Sequence, residues 1–130
     1  MNRYEELLGE VAAEGISIDE NYTFSGKTSG LYVDNNIALS SSMKTTDEKA
    51  CVLAEELGHH HTTVGNIVDL TSSGNQKQER QARVWAYNKQ IGLKGLISAY
   101  EHKCSNRHDT AEFLEVTEEF LQEALDYYCG

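Results

Sequence analysis

Apolar residues near the start of the chain fall at Tyr4, Leu7, Leu8, Val11 and Ala12. This i, i+3, i+4, i+7 spacing predicts a helix from Tyr4 to Glu14, and Gly15 is a natural stop for it. The period then changes. Ile16-Ser17-Ile18 alternates and predicts a short strand, while the polar stretch from Asn21 to Ser29 reads as a connection. Gly30-Leu31-Tyr32-Val33 and Asn36-Ile37-Ala38-Leu39 predict two strands joined through Asp34-Asn35, a pair suited to a tight hairpin.

Helical spacing returns after Thr45, which with Glu48 fits a capping box. Asp47 and Glu48 also suit the positive end of a helix. From Ala50 to Ala54 every residue is apolar or small, so this helix should be buried, ending between Thr62 and Gly65. Thr71 to Asn75 has loop composition. A second long helix is expected from Gln76 to Gln90. Lys77, Arg80, Arg83 and Lys89 should face solvent, and Glu79, Ala82 and Ala86 form an inward stripe beside Trp85. Three shorter helices follow: Leu93 to His102, Asp109 to Leu114 and Glu118 to Tyr127. Leu114, Phe120, Leu121, Leu125 and Tyr128 should complete the core or a partner surface. The pattern predicts an α+β fold, mainly helical, with a small antiparallel or mixed sheet of about three strands and a helical C-terminal segment.

Composition narrows the functional classes. A chain of 130 residues without proline or internal repeats reads as a single domain, residues 1–130. Its net charge of −10 argues against gripping nucleic acid or an anionic membrane, both of which call for clustered Lys and Arg. The pair of helices around Val116-Thr117 mimics a helix-turn-helix. Its last member, however, carries Glu118, Glu119, Glu123 and Asp126 without a Lys or Arg, so phosphates would repel it. The three cysteines, Cys51, Cys104 and Cys129, are odd in number and widely spaced, as expected of free thiols in a reducing compartment. The charged N-terminus lacks a signal core, and no apolar run reaches the roughly 20 residues of a membrane span. The expected location is cytoplasmic.

The candidate chemistry lies at the end of the buried helix: Glu55-Glu56-Leu57-Gly58-His59-His60-His61. Buried carboxylates need a cationic partner, and a divalent metal would supply one. Glu55 and His59 are four apart on one face, separated by roughly 6 Å of helical rise, so both can reach one ion. Glu56 projects beside them. Cys51 shares the Glu55 stripe but lies roughly 12 Å of rise from His59, too far to join it at one metal. Glu79, on the inward stripe of the following helix, also needs a partner unless it is a surface residue favoured by the positive start of that helix. His60 and His61 read as capping or surface residues at a helix C-terminus, where a locally unwound end could bring either to a metal. His102 and His108 read as surface or capping residues, and Tyr32 as strand packing.

Helix, small sheet, motif helix and a second helix with an inward Glu: this order resembles the ImmA/IrrE family of metallopeptidases. Glu55-Glu56-Leu57-Gly58-His59 matches the family's His-Glu-Leu-Gly-His at four of five positions. Glu79-Arg80-Gln81-Ala82-Arg83-Val84-Trp85-Ala86 is similar to its Glu-x-x-Ala-x-x-Phe-Ala, and Leu114-Glu115-Val116-Thr117 followed by a helix is similar to its ending. The resemblance implies a zincin-like fold with one divalent metal, zinc foremost. Glu55, His59 and Glu79 would stand in the ligand places and Glu56 in that of the general base. It also implies an endopeptidase that cleaves a helix-turn-helix repressor of a phage or mobile element, or another regulatory protein. The alternative is an inactive relative that captures such a repressor. Glu55 stands where the motif has His. Two carboxylates and one imidazole make a harder ligand set than that of typical catalytic zinc, one that also suits manganese or iron and makes bound water less acidic.

Overall fold

The computed structural model describes residues 1–63 and 72–130, apart from the side chains of 63 and 72–75. The first helix, α1, spans Arg3–Ala13. Asn2 caps it by accepting from the Glu5 amide, and the Glu5 carboxylate returns the bond to the Asn2 amide. Tyr4, Leu7 and Val11 are its buried stripe, as the spacing requires. Gly15, at φ 71°, turns the chain into the sheet.

Three strands follow: β1 (Ser17–Tyr22), β2 (Gly30–Val33) and β3 (Asn36–Ser40). They lie in the order β1-β3-β2, with β1 parallel and β2 antiparallel to β3, so the sheet is mixed. Asp34 and Asn35 take φ of 49° and 62°. Positive φ at both central positions is what a two-residue hairpin turn demands, and Asp and Asn tolerate it best after glycine. The first strand runs past the alternating Ile16-Ser17-Ile18 through Tyr22, into the stretch expected to be a connection. Only Ile18 of this strand is even partly buried, so apolar alternation gave no sign of the rest.

The helix α2 (Thr46–Thr63) packs on α1, on the sheet and most extensively on α3 (Ser72–Gln90). Thr45 caps α2 by accepting from the Glu48 amide, while the Glu48 carboxylate reaches the Lys44 amide. The second long helix starts at Ser72. Residues 72–75 are therefore helical rather than loop, and Thr71 lies outside the described residues. Ser and Asn are common where helices begin, so their loop-like composition is compatible with a helix start. At Gly58 the helix α2 passes close against the α3 backbone. A Cβ there would collide with the backbone carbonyl of Ala82. Leu53, Ala54, Leu57, Ala82 and Ala86 are completely buried between these helices and their neighbours.

The chain ends in α4 (Gly92–Glu101), α5 (Arg107–Leu114) and α6 (Glu118–Cys129). Glu115 takes the left-handed conformation after α5, and Thr117 caps α6 by accepting from the Phe120 amide. Leu114, Phe120 and Leu121 are buried, with Leu125 and Tyr128 packed against the core. The result is an α+β fold, mostly helical around a three-stranded mixed sheet. Cys51, Cys104 and Cys129 are free thiols. Among the described residues, no helix is long and apolar enough to cross a membrane.

Candidate functional site

A cleft of about 640 Å³ opens between β2, α2 and the first part of α3. Its walls include Glu55, Glu56 and His59 from α2, Glu79 from α3, and Gly30, Tyr32 and Asp34 from β2 and its turn. All four residues singled out from the sequence thus face one space. Periodicity accounts for the three on α2, and the Gly58 contact brings Glu79 across to them. The imidazole Nε2 of His59 lies 3.3 Å from the Glu79 carboxylate. Glu79 is half exposed at the rim of the cleft, as the surface reading of this residue has it and not as its inward stripe has it. It stands nearer the helix start than the buried Ala82 and Ala86, and there the groove is open.

Glycine at position 30 is what lets α2 approach β2. A Cβ at Gly30 would come within 2.6 Å of Val52 Cγ1 and 2.9 Å of Glu56 Oε2. That contact helps to bury Glu56, which is 8 % exposed. Burial, then the charges of Glu55 and Glu79, push its carboxyl up to about 8. Glu55 is raised as well, by burial and then by Glu79, with only Arg83 opposing. No Lys or Arg is among the described residues lining the cleft. The site therefore holds carboxylates in excess.

The donor types, carboxylate and imidazole, fit a divalent cation, which would relieve that repulsion. Among the described residues, however, no three His, Cys, Asp or Glu side chains are already gathered around one point. Glu55, His59 and Glu79 could hold an ion only after turning toward it.

The next two histidines leave the cleft. His60 Nδ1 lies 2.7 Å from the Tyr32 hydroxyl, and its Nε2 lies 3.6 Å from Glu14. His61 bonds to the other Glu14 oxygen at 3.1 Å and stacks on Trp85, with ring centroids 4.7 Å apart. His102 caps the end of α4 and stacks on Phe113, while His108 pairs with Glu118 and Glu112 at the surface. Tyr32, for which strand packing is the favoured reading over lining a cleft, does both. Alternation told only that it opposes Leu31 and Val33. Glu14 gave no sequence signal, because its histidine partners are 46 and 47 positions away.

The model of peptidase family M78, the IrrE N-terminal-like domain, matches residues 13–126. Searches of curated proteins and of solved structures give no match.

Proposed function

The chain belongs to the IrrE N-terminal-like family of peptidases, and from that premise we propose that it is a divalent-metal-dependent endopeptidase acting on a regulatory protein. The observation that carries this reading is the convergence of Glu55, Glu56, His59 and Glu79 on one cleft. Glu55, His59 and Glu79 would hold the ion, with zinc foremost and manganese or iron compatible with so carboxylate-rich a set. Once bound, the cation supplies Lewis acidity toward a peptide carbonyl and toward water. Positive charge in the cleft also favours the ionised form of Glu56. Glu56 then takes the proton of the attacking water and passes it to the departing amine.

Substrate access is supported by the sheet. Among the described residues β2 is paired along one edge, to β3, and it forms a wall of the cleft. An extended segment can lie along such an edge through backbone hydrogen bonds, with its carbonyls presented to the α2 carboxylates. The proposed partner, a helix-turn-helix repressor of a phage or mobile element, rests on the family resemblance. The protein would work in the cytoplasm, without contact to nucleic acid or membrane.

The test uses the purified protein loaded with zinc, manganese or iron and a pool of quenched fluorescent peptides. Hydrolysis is expected, and Glu56→Gln should lower it at least ~100-fold while the ion stays bound. Failure of every metal form to cut any peptide, or equal cutting by Glu56→Gln, would refute the mechanism. If Glu56→Gln still relieved repression in cells, the protein would act by capture of the repressor.

A further inference from the structure

We propose that the Tyr32 hydroxyl is a catalytic hydrogen-bond donor to the substrate carbonyl oxygen, held in place by His60 and Glu14 as positioning residues; this rests on the peptidase reading above. Charge sets the requirement. A peptide carbonyl under attack gathers negative charge on its oxygen. The cleft is lined by Asp34, Glu55, Glu56 and Glu79, all of the wrong sign to receive it. Preorganised donors are what such a site lacks. Besides His59, the side-chain donors on the described walls are Ser29, Tyr32 and Gln78. Tyr32 is braced by residues from separate elements.

The hydrogen inventory of that brace is specific. A phenol has one proton to give and can accept two hydrogen bonds. The Asn35 amide donates to the Tyr32 oxygen at 3.3 Å. When the His60 ring carries hydrogen on Nδ1 as well as on the Nε2 that faces Glu14, the 2.7 Å contact is a second donation to that oxygen. The phenol proton is then left for an acceptor. Asn35 Oδ1 takes it weakly at 3.2 Å until a stronger one, the substrate oxygen, enters the cleft. The imidazole is held edge-on to the Tyr32 ring at 71°, and Glu14 stands 3.6 Å from its far nitrogen. Glu14 is in turn fixed by His61, which is stacked on Trp85. Side chains from α1's end, β2, α2 and α3 thus hold one hydroxyl at the cleft wall.

The decisive comparison is between two probes on the zinc-loaded protein. One is a phosphinic peptide, whose tetrahedral phosphorus mimics the attacked carbonyl. The other is the corresponding product peptide, which has no tetrahedral centre. Tyr32→Phe should weaken the phosphinic peptide ~100-fold, change product-peptide affinity less than about 3-fold and lower kcat more than it raises KM. Glu14→Gln should lower kcat by a smaller factor with KM kept. Nitrogen NMR of histidine-labelled, metal-free protein should find hydrogen on His60 Nδ1. Equal loss for both probes, or no loss with hydrolysis intact, would overturn the role of Tyr32 and leave the peptidase reading standing. If the wild-type protein neither binds the phosphinic peptide nor cuts any substrate, both fail.

Discussion

Three consecutive histidines on α2 meet two opposite environments. His59 turns toward Glu55, Glu56 and Glu79, where carboxylates outnumber cations among the described residues and where burial and neighbouring carboxylates raise Glu55 and Glu56. His60 and His61 turn toward one carboxylate, Glu14, which both imidazoles share. Among the described residues, one cluster keeps carboxylates in excess and the other is closed by its own protein partners. Adjacent helical positions differ by about 100° in direction, so a single step along the chain moves a side chain from cleft to brace. Buried charge left in excess is a reason to expect a ligand, whereas charge already answered is a reason to expect structure.

The largest expected effect comes from closing the gap that joins the two sides. Gly58→Val places a side chain against the Ala82 carbonyl and should cost about 2–3 kcal/mol, read as a lowered denaturation midpoint. It should also remove Glu79 from reach of His59, so that any metal affinity falls with it. A variant with unchanged stability would mean that the α2–α3 contact is looser than described.

The sharper comparison is between neighbours. His59→Ala should lose bound metal. His61→Ala should instead retain metal and lose about 1 kcal/mol through the missing Trp85 stack and Glu14 bond. Equal behaviour of the two variants would erase the division.

The smallest effect lies at a third histidine, on the surface. A hydrogen bond to Glu118 raises His108, and the same bond lowers Glu118. The His108 contribution is complete below its ordinary value of 6.5 and is lost as pH rises through the raised one. The Glu118 contribution is complete above 4.5 and is lost as pH falls through its lowered value. His108→Ala should therefore lower the melting temperature slightly between pH 4.5 and 6.5 and not in alkali. A loss that persisted in alkali would assign His108 a role other than this ion pair.

Much of this organisation was legible in the sequence, wherever it depended on neighbours in the chain. The Asp34-Asn35 turn, the Thr45 cap and the buried stripe of Tyr4, Leu7 and Val11 all follow from spacings of a few residues. The parallel pairing of β1 with β3 was not legible, because β1 beyond Ile18 is exposed and carries Asp19, Glu20 and Asn21. The start of α3 at Ser72 was hidden by residues that serve turns and helix starts alike. Within the site, the helical period grouped Glu55, Glu56 and His59, and Glu79 was found by an inward stripe whose position proved to be the rim. The brace of Glu14, Tyr32 and His60 was invisible, since each partner comes from a different element and no local period links them.

The central claim is that two helices present a divalent-cation site in which Glu79 completes what α2 begins. Calorimetric zinc titration of the metal-free wild type beside Glu79→Ala and His59→Ala tests it directly. The account predicts one ion per chain for the wild type and at least ~10-fold weaker binding in each variant. An absence of binding in the wild type, or affinity unchanged by both substitutions, would contradict it.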